Sequence, residues 1–313
     1  MQTPFYNTQH APVGAFASFT LGAKGAKGGL DLERAAPACE NFWIGCEDRT
    51  GTTLQVLPFC EASPEPEKAF GKEPETPSRL PLHFFEPNEI QRNLTPGCDA
   101  WNTEDFHFSI YTQAPRLPNP DLEDSAELRE GLVPAVLCEI RLDNRHGHTK
   151  RRVVFAWQGN HPQTIMRCMD AGSVVGIAQG MDRGFFGATG TWVAGQGMHV
   201  EEILEAVRQM DLQTLRHSIG SVGALIAEVP AGGVSVFHLV AAFFRNGPAT
   251  TDKRFRYWYL HWWDSIEDVA AFALSSSDAL IKAAHTANKL LGGQNLSLPR
   301  RWMLAQAVHS YYA

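Results

Sequence analysis

The stretch "AVLCEIRLDNRHGHTKRRVVFAWQG", Ala135 to Gly159, decides how the rest of the chain is read. Val136, Cys138, Ile140 and Leu142 fall on every second position, the spacing of one buried strand face. A turn-rich segment follows, and then "VVFAWQG" resumes the apolar run. The spacing predicts an antiparallel hairpin with Asn144 and Gly147 as its turn residues. The basic run Lys150-Arg151-Arg152 then reads as a solvated strand edge.

The same design recurs outward in both directions. "GALIAEVPAGGVSVFHLVAAFF", from Gly223, sets Pro230, Gly232 and Gly233 between two apolar runs. Phe106, Phe108 and Ile110 alternate with His107, Ser109 and Tyr111. The Pro-rich segment "EASPEPEKAFGKEPETPSRLP" has too few apolar residues to be core. One helix interrupts the strands: in "HVEEILEAVRQM", Val200, Ile203, Leu204 and Val207 recur at helical spacing. Many strands, antiparallel connections and no alternating helices predict a mainly β chain, an antiparallel two-sheet β-sandwich over residues 1–250.

Beyond residue 255 the period changes. "SIEDVAAFALSSSDALIKAAHTANKLLGG" opens with Ser265 as N-cap and Asp268 three places on, and it stops at Gly292-Gly293. Pro299 then opens a second helix, "RRWMLAQAVHSYYA", with Trp302, Ala305, Val308 and Tyr312 on one face. A terminal helix with such a face needs a partner surface. Residues 251–313 therefore read as a separate helical region.

Composition narrows the function classes. At 313 residues, with 44% hydrophobic and 19% charged residues, the chain can build a sizeable core, and about two domains are expected. A net charge of −7 argues against nucleic acid as a partner. No apolar run is long enough for a membrane span, and the N-terminus lacks the basic and apolar segments of a signal peptide. The six cysteines (Cys39, Cys46, Cys60, Cys98, Cys138, Cys168) form no C-x-x-C pair and read as free thiols. A cytoplasmic location is the expectation, and the sequons at Asn93 and Asn295 are then chance matches.

Phosphate, metal and serine chemistry find no motif. "GAKGAKGGLD" fits neither G-x-x-x-x-G-K-[ST] nor G-x-G-x-x-G, and it follows a strand without opening a helix. No H-E-x-x-H or zinc spacing occurs, so no metal or cofactor is expected. Ser218 and Ser221 lack a nucleophile elbow. Trp258, Trp262 and Trp263 in "RYWYLHWWDS" form the densest aromatic cluster, read as a packing interface between the two regions rather than a sugar platform.

"HAPVGAFASFTLG", "GGLDLE", "VLPF", "NEIQR", "LVPAV", "VGALI…VPAG" and "ANKL", taken in order, resemble the N-terminal part of glycoside hydrolase family 52, the bacterial β-xylosidases. The resemblance runs from Asn7 to "MLAQAVHSYYA" and implies a β-sandwich followed by an (α/α)6 barrel. Residues 251–313 would be linker helices and the first helix of a truncated barrel. Trp302 and Tyr312 would then face neighbouring barrel helices.

The resemblance implies a retaining glycosidase acting on xylo-oligosaccharides through a glutamate nucleophile and an aspartate acid/base. Both belong to the barrel, so no Asp or Glu here inherits either role; Asp31 and Glu33 are not promoted. This implies a chain inactive alone. A non-catalytic carbohydrate-binding or assembly module, paired with a separately encoded barrel or with a second copy, is the other reading kept, and an active hydrolase with a relocated site is a third. Asn7 and His10 are candidates for lining the sugar site, against a local turn built by Pro12 and Gly14.

Overall fold

The computed structural model describes residues 7–22, 28–33, 40–60, 80–115, 117–119, 121, 125–159, 165–211, 215, 218–250, 254–292 and 296–311. The first strands are β1 (Thr8–His10), β2 (Ala17–Leu21), β3 (Gly29–Leu32), β4 (Asn41–Glu47), β5 (Leu54–Val56) and β6 (Leu82–Phe84). Then come β7 (Gln91–Thr95), β8 (Cys98–Asn102), β9 (Phe106–Tyr111), β10 (Ala135–Asp143) and β11 (Arg151–Gln158). The last are β12 (Met166–Ala171), β13 (Val174–Gln179), β14 (Arg183–Ala188), β15 (Val193–Gly197), β16 (Val222–Val229) and β17 (Val234–Phe243).

An eight-stranded sheet runs β12-β13-β14-β17-β10-β9-β8-β7, and a six-stranded sheet runs β15-β16-β11-β4-β5-β6. Among these named strands every pairing is antiparallel except β5 with β6. The sheets share one core. Phe155 and Trp157 of β11 meet Phe185 of β14, with ring centroids 4.6 and 5.4 Å apart, and Phe42 of β4 meets the same ring at 5.8 Å. The chain is mainly β, as its period-two patterning predicts.

The predicted hairpins are not hairpins. β10 pairs with β9 and β17 in one sheet, while β11 pairs with β4 and β16 in the other. Ala135–Gly159 is therefore an arch that leaves one sheet at Asp143 and enters the facing sheet at Arg151. The Gly223–Phe244 stretch is a second arch, and the two nest. Asn144 N donates to Gly233 O at 2.8 Å, and Gly232 N lies 3.1 Å from Asn144 O. Asn144 Nδ2 donates to Pro230 O and Thr149 O, both at 2.9 Å. Alternation marks which side chains go inward, but it is silent on which sheet receives the next strand; the connection here spans the ~10 Å between facing sheets.

Arch geometry also corrects the basic run. β11 is an interior strand, and Arg151 is 1% exposed. Its guanidinium donates to Glu47 O at 2.8 Å and to Asp105 at 2.6 Å. Arg152 and Arg208 both reach the buried Glu47 carboxylate. The far face of the six-stranded sheet is also covered. Trp43, Val154, Ala156 and Ile226 pack there with Val200, Ile203 and Leu204 of α2 (Val200–Gln209).

The opening strands form neither layer. β1, β2 and β3 make a three-stranded sheet of their own, with β2 in the middle, so "HAPVGAFASFTLG" is not the first strand of a large sheet. Residues 23–27 of the glycine-rich exit lie outside the described residues. A short helix the patterning did not reveal, α1 (Ala126–Gly131), is capped by Ser125 Oγ.

From Trp258 onward, among the described residues, the regular elements are helical. A 3₁₀ turn (Trp258–His261) precedes α3 (Ile266–Ser275), α4 (Ser277–Gly292) and α5 (Leu298–His309). Ser265 caps α3 as predicted, its Oγ accepting from Asp268 N at 3.1 Å. Ile266, Val269, Ala270 and Ala273 join the main core, packing α3 on β17, β14 and β10. α4 crosses the β7–β8 turn so closely that a Cβ on Gly97 would stand 1.9 Å from Ala284 O. The terminal helix has a partner within the chain: α5 packs on β1 and β7, burying Ala305 and His309 while Trp302 and Val308 flank them half-buried.

Candidate functional site

Backbone conformation points to one end of the small sheet. Among the described residues, three other than glycine have positive φ: Phe16 (44°), Glu33 (57°) and Met210 (54°). Met210 is the left-handed cap of α2, an ordinary use. Phe16 and Glu33 instead face each other where the β2–β3 ladder ends, with Glu33 N donating to Phe16 O at 2.8 Å. Each costs roughly 1–2 kcal/mol relative to a relaxed backbone. Such strain concentrates at functional positions.

The local sequence shows why Phe16 is out of place. Ala15, Ala17, Phe19 and Leu21 point into the core on alternate positions, each at most 2% exposed. Phe16 is out of phase with them and is 54% exposed. Its ring meets that of Tyr257 in a T-shaped contact at a centroid distance of 6.1 Å.

Glu33 anchors the cluster. Tyr257 donates its hydroxyl to Oε1, Thr250 donates to Oε2 at 2.5 Å, and Arg245 lies 3.0 Å from Oε2. Burial raises this carboxyl, but the hydroxyl donors and the guanidinium outweigh it, leaving Glu33 below its ordinary pKa. Tyr257 is pushed upward, by burial first and then by the carboxylate it donates to. Tyr257 stacks on Tyr259 at 5.0 Å. Phe16, Tyr257, Glu33, Thr250 and Arg245 thus form an aromatic and ionic surface at the sheet end.

A second polar cluster is sealed inside. Arg92 donates to Asp99 from Nε at 2.9 Å and from Nη2 at 2.5 Å, and also to Thr8 Oγ1 at 2.6 Å. His309 Nε2 donates to Thr95 O at 2.8 Å, so Nδ1 accepts from Thr112 Oγ1 at 2.6 Å. Thr112 Oγ1 can then accept from His10 Nδ1 at 3.1 Å. His10 Nε2 is left 3.7 Å from Asp99, beyond hydrogen-bond length. Burial drives His309 down to about 3, and it lowers His10 against the pull of Asp99. Burial raises Asp99, but Arg92 and His10 hold it below its ordinary value.

The other residues singled out by sequence scatter. His10 is fully buried in this clasp, whereas Asn7 is exposed just before β1. Trp258 is 39% exposed and its ring is tilted against His261, Trp262 is half-buried, and Trp263 is buried against Phe272 with Arg129 over its ring. Trp302 lines a groove of ≈ 200 Å³ with Asn93, Thr95, Asn288 and Arg301. Tyr312 lies outside the described residues. The clasp and the Glu33 cluster went unread in the sequence, although alternation left a signal: Arg92 shares its inward strand face with Leu94, and Asp99 shares its own with Trp101.

Among the described residues no group of three His, Cys, Asp or Glu side chains could hold a metal ion. None of the helices there is long and apolar enough to cross a membrane. The cysteines at 46, 60, 98, 138 and 168 are free thiols, and burial raises Cys46 to about 12, which leaves it protonated.

The family model for glycosyl hydrolase family 52 matches residues 19–313. The chain belongs to this family. A β-xylosidase of Geobacillus stearothermophilus is 36% identical over 315 residues, covering 98% of this chain and 44% of its own length. A second β-xylosidase from that organism is 27% identical over 337 residues, covering 98% of this chain and 51% of its own. This family 52 chain spans about half the length of the curated relatives it matches.

Proposed function

We propose that this chain works within a β-xylosidase that cleaves xylo-oligosaccharides with retention. In this reading residues 1–250 are its β-sandwich, and the helices of 251–313 lead into an (α/α)6 barrel. The match of 98% of the chain to a protein named β-xylosidase carries this reading. Catalysis then needs polypeptide beyond these 313 residues, because the family resemblance puts both catalytic carboxyl groups in the barrel.

The described carboxyl groups support that division of labour. A retaining glycosidase needs two of them about 5–5.5 Å apart, one keeping its proton near neutral pH. Among the described acids that shift, Glu33, Asp48, Asp99 and Asp143 all shift downward, the wrong direction for a proton donor. Glu40 and Glu47, also buried, face arginines. Asp48, Glu89, Glu104 and Asp105 line an open cleft, but Asp48 accepts from the Thr52 and Thr53 amides and Glu104 pairs with Arg49.

The test is turnover of an aryl β-xyloside. The purified chain should give none, and adding the rest of a family 52 polypeptide, in cis or in trans, should restore it. Sustained turnover that follows the 313-residue chain through purification would overturn the division. Activity restored only in trans would favour the assembly-module reading, which draws support from the exposed Leu298 and Met303 beside the half-buried Trp302 on α5.

A further inference from the structure

Phe16 is held in a strained backbone conformation without the burial that would offset it. A phenyl ring that is 54% exposed forgoes most of the benefit of apolar contact, and a glycine at φ 44° would carry no strain. Its opposite number, Glu33, has an evident reason for its own conformation: the carboxylate is engaged by Tyr257, Thr250 and Arg245. The Phe16 ring meets Tyr257 in a T-shaped contact, and about half of the residue still faces solvent. Across the end of the ladder from Phe16, Glu33 has a 5% exposed side chain and is met by a guanidinium at 41% and a threonine hydroxyl.

We propose that Phe16 is a pyranose-stacking residue, and that the surface formed by Phe16, Arg245, Glu33 and Thr250 binds a β-xylosyl unit. The proposal rests on the β-xylosidase reading for the identity of the sugar. An aromatic face is electron-rich, and the C–H face of a pyranose carries the complementary partial charge. Hydroxyl groups on the ring edge match the exposed part of Arg245, the one cation of the cluster that reaches solvent. Glu33 and Tyr257 set the platform's shape by fixing each other and the Phe16 ring. Phe16 stands just before β2 and out of phase with the buried Ala15 and Ala17, so its side chain turns away from the face that enters the core. Phe16 is a positioning residue for sugar, with no bond-breaking role.

Two variants and two readouts test it on the full 313-residue chain. Saturation-transfer NMR with xylobiose should show transfer to the sugar's C–H protons from the unmodified protein. Phe16→Gly should weaken that binding at least tenfold while its melting temperature stays equal or rises, since glycine accepts the positive φ. Phe16→Tyr should keep binding. A Phe16→Gly protein that melts lower and still binds xylobiose equally would make the ring a packing element and overturn the proposal. No transfer to xylobiose from the unmodified chain would overturn it too, as would a Phe16→Gly defect confined to association with the rest of the polypeptide. Turnover of an aryl β-xyloside by the completed enzyme is read separately, so the platform can fail while the β-xylosidase reading stands.

Discussion

Asp99 and Glu33 are two carboxylates set against opposite edges of the same small sheet, one beside β1 and the other just after β3. Both are almost inaccessible, both face an arginine, and both are held below the ordinary carboxylate range. Their surroundings differ. Asp99 meets Arg92 with two parallel hydrogen bonds, and the side chains of Arg92, Asp99 and His10 are at most 3% exposed. Glu33 lies across the ladder end from an exposed phenylalanine and beside an arginine that reaches water. Burial of charge marks the clasp as structural cement, and strain beside an exposed aromatic marks the other cluster as a surface for something else.

The largest effect should come from the clasp. Asp99→Ala leaves Arg92 buried without its carboxylate and should cost about 3–5 kcal/mol in denaturant unfolding. An equal loss in Glu33→Ala would break the contrast between the two clusters. His309→Ala should cost about 2–3 kcal/mol, because Thr95 O and Thr112 Oγ1 lose a buried partner.

The two histidines also set a pH dependence. Burial holds both below the ordinary histidine value when folded, whereas the unfolded chain protonates histidine below about 6.5. Stability is therefore intact above that pH and falls below it, for His309 down to about 3. Asp99 adds to the loss in stronger acid, where the unfolded carboxyl takes a proton before the folded one does. Melting temperatures recorded from pH 7 to pH 4 should fall in the native chain and less steeply in His309→Ala.

The Glu33 cluster should respond weakly. Glu33→Gln, which retains volume but loses the charge facing Arg245, is expected to cost about 1 kcal/mol in the same assay. Thr250→Ala should cost about 0.5 kcal/mol, the smallest effect.

The strands were legible because burial imposes alternation, as in Phe106, Phe108 and Ile110, and the cap at Ser265 was legible because its chemistry is local. Whether two strands share a sheet was not, since an arch and a hairpin alternate identically up to the turn. Arg151 and Arg152 looked like an exposed edge because their partners, Glu47 and Asp105, sit about a hundred and about fifty positions away. The sequence placed Trp302, Ala305 and Val308 on the face of the last helix that seeks a partner; Ala305 is buried there, but the other buried residue is His309, because what it meets is a threonine and a carbonyl. Phe16 left a trace in its phase against Phe19, but no spacing reveals a positive φ.

The nested arches carry a consequence for biosynthesis. A chain growing from its N-terminus can give β10 its neighbour β9, and β11 its neighbour β4, well before the opposite flanks are filled. Those flanks belong to β17 and β16, which reach the forming protein only after residues 159–221 have been added. During that interval two apolar strands offer bare amides and carbonyls to any passing polypeptide, the situation in which edges recruit the wrong partner. Yield in the cell would then depend on how quickly the second arch arrives and closes over the first, a matter of translation rate and chaperone supply.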